Sequence, residues 1–242
     1  MRRRTTQNPQ NTQKRGLCSA GSAVSAEDVG DGRFQRAMAG ATRAGGSCGA
    51  LGRCDSPGVD TCRKDLASLD DGVIFDGRTL VTASALLDLV SEAWLCTLAA
   101  RCAEGGAAVL FALSYDGRID CSPGDPDDGR VVTRVNEHQR IDKGFGPALG
   151  PGATDCAARC FASRGYLVRR ARSDWTLPPA SQELQQQLID GWAQAATAMA
   201  PSEAAIIAGG RSRRLAHVAA NRSHLIAGHE DLAAWKSKDV RI

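Results

Sequence analysis

Several side chains that could take part in catalysis or binding lie close together in the segment EHQRIDKGFGPALG, residues 137–150. They supply a potential base, an amide, a cation and an aromatic ring: His138, Gln139, Lys143 and Phe145. A positioned imidazole can take a proton from a reacting group, and amide and ammonium groups bind polar ligand atoms. The same residues also fit the solvated C-terminal end of a helix that ends at Gly144. The residues by themselves leave both interpretations open.

A second candidate lies in GRTLVTASALLDLVSEAWL, residues 77–95. A short apolar strand at 80–81 is followed by three small residues, Thr82, Ala83 and Ser84. Small residues at the end of a strand allow a ligand to approach the backbone closely, and helix N-termini often point into such a crevice. The alternative is a tight strand-to-helix turn without a ligand. Spacing alone favours neither.

The elements that must position these residues are predicted from hydrophobic patterning and caps. Strands are predicted at 80–81, 107–115, 166–175 and 225–228. Helices are predicted at 91–104, in the first half of 131–151, at 153–165, from Ser181 to Pro201 and at 203–221. Asp116 and Gly117 are predicted to form the turn that ends the second strand. Alternating strands and helices are typical of an α/β fold with a largely parallel sheet.

Residues 1–62 differ from the rest of the chain in composition and in hydrophobic pattern. They are rich in Gly, Ser, Arg and Ala and show neither a helical nor a strand period. Such a segment cannot readily build a buried face. We therefore predict a low-order segment at 1–62 and an α/β domain at 63–242, since 242 residues suffice for one domain of ordinary size.

Composition restricts the classes of partner. The net charge of +3 comes from 30 basic and 27 acidic residues, which does not favour nucleic acid binding. The 9 cysteines include no Cys-x-x-Cys pair, so no metal site is predicted, and Cys156 and Cys160 are expected to be small buried residues.

The targeting signals are weak. No apolar run approaches the roughly 18 residues of a membrane span. The opening Arg2-Arg3-Arg4 has no apolar region behind it, as a secretory signal would require, although an Arg-rich, acid-poor start also fits a transit peptide. We expect a cytoplasmic protein.

Four segments carry a resemblance to a known family. They are LVTASALLDLVSEAWL, AVLFALSYDGRI, VNEHQRIDKGFGPALGP and GYLVRRARSDW, and they resemble class I S-adenosylmethionine-dependent methyltransferases over residues 63–235. The resemblance implies a Rossmann-like sheet whose ligand lies across the carboxyl ends of strands one, two and four. Of the family's seven strands, the last of them antiparallel, this chain would supply strands four to seven with flanking helices. The sheet would then be incomplete.

The resemblance also implies roles for individual residues. The cofactor would be S-adenosyl-L-methionine, with Asp65 accepting a hydrogen bond from the adenine amino group and Thr82, Ala83 and Ser84 lying under the methionyl part. His138 would act as the base, and the acceptor, a small molecule rather than a macromolecule, would meet Gln139, Lys143 and Phe145.

One departure from the family pattern bears on function. The acidic loop Asp/Glu-x-Gly-x-Gly-x-Gly after strand one is not recognisable, because EDVGDGRF has a single Gly-x-Gly and Phe34 stands where another glycine is expected. Two hypotheses follow. The chain is a methyltransferase or the C-terminal part of one, or it is a non-catalytic Rossmann-like module. In the second case a basic arm, Arg2, Arg3, Arg4, Lys14 and Arg15, would dock a partner or nucleic acid.

The abrupt change of composition and hydrophobic pattern near Cys62 predicts that residues 1 to about 60 are read from a shifted or wrongly started frame. The chain would then be a truncated methyltransferase. Strand four would then lack a ladder partner, which predicts aggregation, a protease-sensitive N-terminus and weak or absent cofactor binding. Translation of the coding DNA upstream of the Arg63 codon in all three forward frames tests this. We expect an apolar strand followed by an acidic Gly-x-Gly-x-Gly loop within roughly 150 residues, an ordinary domain length. Its absence from every frame contradicts the prediction.

Overall fold

The computed structural model of the chain describes residues 16–19, 23–25, 61–69 and 74–236. The strands are β1 (Gly16–Ser19), β2 (Ala23–Ser25), β3 (Thr61–Lys64), β4 (Leu80–Ser84), β5 (Ala108–Ser122), β6 (Tyr166–Arg172), β7 (Trp175–Leu177) and β8 (His224–Lys236). The α-helices are α1 (Glu92–Gly105), α2 (Asp128–Gln139), α3 (Ala153–Ala162), α4 (Gln182–Met199) and α5 (Ala204–Ala219). Short 3-10 helices lie at Leu87–Leu89, Gly150–Gly152 and Pro201–Glu203. From β4 onward the predicted mixture of helices and strands is confirmed.

The strands form one mixed sheet in the order β3-β1-β2-β4-β5-β8-β6, and β7 also pairs with β8. Strands β4 and β5 are parallel and are connected through α1. The last strand, β8, lies between β5 and β6 and is antiparallel to both. A late strand inserted in this orientation agrees with what the resemblance implied for strands four to seven.

The first three strands correct the expectation that strand four has no ladder partner. β2 pairs with β4 in parallel, with Ala23 opposite Thr82 and Ser25 opposite Ser84. β1 pairs antiparallel with both β2 and β3. A backbone ladder requires no side-chain alternation, and strands of only three or four residues are too short to show a period in the sequence. The segment EDVGDGRF and the predicted basic arm lie outside the described residues.

The main core lies between one face of the sheet and helices α1 and α3. It includes Phe111, Phe161 and Leu232, which are almost completely buried. The predicted cap at Ser91 is confirmed, because its Oγ accepts a hydrogen bond from the Trp94 N–H at 3.3 Å. The predicted stop is confirmed at Gly106, whose φ of 68° is left-handed.

Strand β5 is longer than predicted. It continues past Asp116 and Gly117 to Ser122, where a turn was expected, and β8 runs from His224 to Lys236 instead of 225–228. Gly117, with φ 93°, lies in a register shift between Tyr115 and Ile119 within the β5–β8 ladder. The two extensions stabilise each other by pairing. The local sequence of either strand does not predict a partner so distant in the chain.

The extended parts of β5 and β8 support a second layer of helices. The distal halves of β5 and β8, with β7, support smaller apolar clusters formed with α2, α4 and α5. The predicted strand 166–175 is in fact broken into β6 and β7. At the break, the Asp174 carboxylate accepts from the Arg118 guanidinium at 2.6 Å and from the His229 N–H at 3.2 Å. No helix in the described part of the chain is long and apolar enough to cross a membrane.

The sheet face away from α1 and α3 carries an apolar patch. Leu110 lies opposite both Thr82 and Ala233, and Leu167 lies opposite Trp235 in the neighbouring row. The four large members of the patch keep 38–50 % of their surface exposed: Leu80, Leu110, Leu167 and Trp235. Adjacent large apolar side chains on a water-facing sheet favour association between molecules.

Replacing the patch residues should improve solubility at little cost in stability. We expect Leu110→Thr with Leu167→Thr to raise the soluble fraction and to change the free energy of unfolding by less than about 1 kcal/mol, because both side chains are already exposed. The matched control is Phe111→Ala on the opposite face, where the side chain is 0 % exposed; there the loss should be about 3–5 kcal/mol. Sedimentation and urea denaturation measure the two effects. A large stability loss in the double variant would show that the patch is covered.

Candidate functional site

The chain leaves the carboxyl end of β4 through a constrained turn. Ala85 follows Ser84 with φ 51°, a left-handed conformation that is uncommon outside glycine. Its N–H donates to the carbonyl oxygen of Ala112 on β5 at 3.0 Å, so the turn is tied to the neighbouring parallel strand. A residue held in this region stores backbone strain, which is frequent at ligand-binding sites.

An open cavity of about 390 Å³ lies at the start of α1, the helix that follows this turn in the chain. Three segments line it, and they are distant in sequence: residues 67–69, the first turns of α1 with Ser91, Ala93, Trp94 and Thr97, and the pair Gly144 and Phe145. Its volume falls in the range of small-molecule sites. The cavity therefore brings the region after β3, the start of α1 and the predicted acceptor segment together.

Trp94 connects the three segments. Its indole Nε1–H donates to the carbonyl oxygen of Leu66 at 2.6 Å. Its ring meets the ring of Phe145 edge to face, with centroids 5.7 Å apart and planes at 72°. Both contacts are favourable geometries for an aromatic side chain that is largely buried. Trp94, at the start of α1, thereby contacts both of the other segments: the loop after β3 through Leu66, and the turn that carries Phe145.

The turn that carries Phe145 is itself ordered by one carboxylate. Oδ1 of Asp142 accepts from the N–H groups of Gly144 at 2.6 Å and Gly146 at 3.0 Å. Gly146 has φ 85°, and a Cβ there would stand 3.3 Å from the Cβ of Ser91. Glycine is thus required both for the conformation and for close packing against the start of α1.

Asp65 lies next to the cavity. It is exposed and precedes the lining residues 67–69, and its Oδ1 accepts from the Ala67 N–H at 2.9 Å. One carboxylate oxygen therefore shapes the loop that forms this wall. Such an Asx turn leaves the second oxygen available to a ligand donor.

The three small residues at the end of β4 divide between the two faces of the sheet. Ala83 is 5 % exposed and belongs to the main core. Thr82 and Ser84 alternate to the opposite face and are partly buried. None of the three lines the cavity, so any contribution they make to a ligand at this edge is through the backbone.

His138, Gln139 and Lys143 gather at the end of α2. Lys143 Nζ donates to the carbonyl oxygens of His138 at 3.1 Å and Ile141 at 3.5 Å, which caps the helix. Gln139 is the last helical residue, and a Cβ added to Gly150 would lie 3.4 Å from its Cβ. Of the four predicted acceptor-side residues, only Phe145 lines the cavity; His138, Gln139 and Lys143 do not.

Partial burial changes the protonation of this cluster. Burial, followed by the charge of Lys143, lowers the pKa of His138, which favours the neutral imidazole. Burial also lowers the pKa of Lys143, although the nearby carboxylates of Asp88 and Asp142 act in the opposite direction. A neutral imidazole can accept a proton or a hydrogen bond.

Asp88 is the residue that pattern analysis missed. It lies in the 3-10 helix after β4, is 7 % exposed, and its Oδ1 has no hydrogen-bond partner in the described part of the chain. Burial raises its pKa to about 6, partly offset by its own backbone N–H, the charge of Lys143 and the backbone N–H of Tyr115. An acidic residue inside the apolar run LLDLV was the available signal. Such a residue in a buried position is a candidate for function.

Tyr115 continues the polar contacts from Asp88 into α2. Its hydroxyl donates to Oδ1 of Asn136 at 2.9 Å, and Nδ2 of Asn136 donates to the carbonyl oxygen of Gly117 at 3.0 Å. Burial, with the charges of Asp116 and Asp88, raises the pKa of the phenol. The tyrosine therefore stays neutral at physiological pH. Among the described residues no group of His, Cys, Asp or Glu is placed to hold a metal ion.

Comparison with known proteins gives distant structural similarities, of which two are described. No protein-family model and no curated protein matches the chain. A cyclopropane synthase, MmaA2 from Mycobacterium tuberculosis, aligns with 11 % identity and a TM-score of 0.30 over 67 % of this chain and 56 % of that one. The phosphoethanolamine N-methyltransferase 2 of Haemonchus contortus, solved with phosphomonomethylethanolamine and S-adenosylhomocysteine, aligns with 11 % identity and a TM-score of 0.28 over 70 % and 36 %. This chain thus aligns with about half of the first protein's length and about a third of the second's.

The buried carboxyl group makes a pH-dependent prediction. Because the folded-state pKa of Asp88, about 6, lies above the ordinary 3.8, protonation stabilises the fold below pH 4, and this contribution is lost as pH rises through 6. At pH 8, Asp88→Asn should therefore raise the free energy of unfolding by about 1–3 kcal/mol. At pH 4 the difference from the unchanged protein should approach zero.

Urea denaturation at pH 4, 6 and 8 measures the effect. The matched control is Asp120→Asn, at an exposed position on β5, where we expect less than about 0.5 kcal/mol at every pH. A difference between Asp88→Asn and the unchanged protein that does not vary with pH would contradict an ionised, buried carboxylate.

Proposed function

We propose that the chain catalyses or supports S-adenosylmethionine-dependent methyl transfer to a small-molecule acceptor at the carboxyl edge of β4. The observation that carries this proposal is the cavity shared by residues 67–69, the start of α1 and Phe145. In open α/β sheets the ligand occupies the crevice beyond the carboxyl ends of parallel strands, and β4 and β5 are such a pair.

The cavity walls suit the adenosyl part of the cofactor. Trp94, Phe145 and Leu69 offer aromatic and apolar surface to a purine. The second carboxylate oxygen of Asp65 would accept a hydrogen bond from the adenine amino group, while the first continues to hold the turn. The bound cofactor would supply an electrophilic methyl group on a positively charged sulfur.

The acceptor side is formed by the residues around Asp88. Methyl transfer is an in-line displacement, so the protein contributes alignment and exclusion of water. A base is required only for an acceptor that must lose a proton. Neutral His138 is the proposed base, and the carboxylate of Asp88 adds negative charge close to β4, which would favour a cationic sulfonium over a neutral thioether.

Calorimetric titration with S-adenosylmethionine and S-adenosylhomocysteine tests the proposal. Saturable binding supports it, and we expect weak affinity because no acidic Gly-x-Gly-x-Gly loop is recognisable in the sequence. The absence of binding to either compound favours the alternative, a non-catalytic Rossmann-like module.

Asp65 provides the sharper test. Asp65→Ala should weaken S-adenosylhomocysteine binding by about 1–3 kcal/mol, the loss usual for a hydrogen bond to a charged group. Asp120→Ala removes an exposed carboxylate elsewhere and should leave the dissociation constant unchanged. Asp65→Asn keeps an acceptor for the Ala67 N–H, so it separates damage to the turn from loss of the charge. An unchanged dissociation constant in Asp65→Ala would remove Asp65 from the site.

A further inference from the structure

A cluster of thiols lies between α1 and α3. The Sγ atoms of Cys96 on α1 and Cys160 on α3 are 2.7 Å apart. Cys156, which lies one turn before Cys160 on α3, interacts with the Cys160 thiol. A disulfide bond measures about 2.05 Å between sulfurs. The fold therefore holds two free thiols within a short displacement of covalent bonding.

The backbone fixes this proximity. The guanidinium of Arg164 donates to the carbonyl oxygen of Cys160 at 2.9 Å and to that of Cys96 at 3.0 Å. Ser163 Oγ also donates to the carbonyl of Cys160, at 2.9 Å. One arginine thus bridges the two helices at the same two residues whose thiols meet, so the pairing does not depend on side-chain packing alone.

The two thiols differ in access. Cys96 is partly exposed, whereas Cys160 is 7 % exposed. Burial, followed by its contacts with Cys96 and Cys156, raises the pKa of Cys160 to about 12. A thiol with a raised pKa and little exposure reacts slowly with an external oxidant. Cys96 is therefore the thiol that an oxidant meets first.

We infer that Cys96 and Cys160 form a reversible thiol-oxidation site whose co-reactant is a low-molecular-mass disulfide. The Cys96 thiolate attacks one sulfur of that disulfide, which breaks its S–S bond and releases one small thiolate. The Cys160 thiolate then attacks Sγ of Cys96 and releases the second. Two protein S–H bonds are lost, one protein S–S bond forms, the small disulfide is reduced to two thiols, and the two protons pass to them.

The bond would lie next to the cavity wall in the chain. Cys96 lies between Trp94 and Thr97, both of which line the cavity, and the bond would tie this part of α1 to the last turn of α3. A cross-link that is compatible with the native geometry limits the unfolded chain and stabilises the fold. We expect a higher melting temperature in the oxidised form. The inference does not depend on methyl transfer.

Peptide mapping of the full chain tests the site. The reduced protein is equilibrated with mixtures of reduced and oxidised glutathione, alkylated with iodoacetamide and digested with trypsin. Cleavage after Arg101 separates Cys96 from Cys102, and cleavage after Arg159 separates Cys156 from Cys160. The expected product is peptide 79–101 linked to peptide 160–164, and dithiothreitol should reverse it.

Serine variants provide the controls. Cys96→Ser and Cys160→Ser should each abolish the linked peptide, whereas Cys102→Ser and Cys121→Ser should leave it. Phenylarsine oxide, which bridges neighbouring thiols, is added either to the reduced native protein or after unfolding in urea, and both samples are then alkylated in urea; it should protect Cys96 and Cys160 only when it is added to the native protein. This measurement on the unchanged chain keeps the test decisive if a variant fails to fold. A lasting glutathione adduct on Cys96, a link from Cys96 to Cys156, or full alkylation of both thiols after oxidation would overturn the inference.

Discussion

The antiparallel pairing of β5 with β8 is the interaction on which the rest of the structure depends. The proximal part of this ladder, from Val109 to Phe111, belongs to the main sheet, and the distal part, from Ile119 to Ser122, supports the second layer. Between them the register shifts, and Leu113 adopts φ 56°. A bulge of this kind turns a strand without ending it. The ladder thereby connects the main core with the smaller apolar clusters of the second layer.

Asp231 stabilises the bulge. Its Oδ1 accepts from the Leu113 N–H at 2.9 Å and from the Ser173 hydroxyl at 2.6 Å, so one carboxylate on β8 satisfies the irregular part of β5 and the end of β6. The backbone N–H of Tyr115, just beyond the bulge, acts on the carboxylate of Asp88. The continuation of β5 leads into α2 and then to Phe145, which returns to the edge of β4. The arrangement of the candidate site therefore follows from the bent ladder.

Features that reduce stability are concentrated at this edge. Ala85 has a left-handed conformation, and Asp88 keeps a buried carboxyl oxygen without a partner among the described residues. Each has a cost of order 1–3 kcal/mol in typical proteins. Local conflicts of this kind are expected where a site is retained for function. The thiol pair is different, because Arg164 supports it with ordinary hydrogen bonds between two well-formed helices.

The sequence by itself determined the succession of helices and strands from β4 onward, because caps and apolar periods are local. Ser91 and Gly106 bound α1 where their chemistry predicts, and Cys156 and Cys160 are buried as expected. Only the tertiary structure decided how far β5 and β8 extend, since each is supported by a partner far along the chain. The same holds for Asp88, whose raised pKa arises from burial, and for the Cys96–Cys160 contact between two helices. Burial and long-range pairing depend on the whole fold, and a linear pattern contains neither.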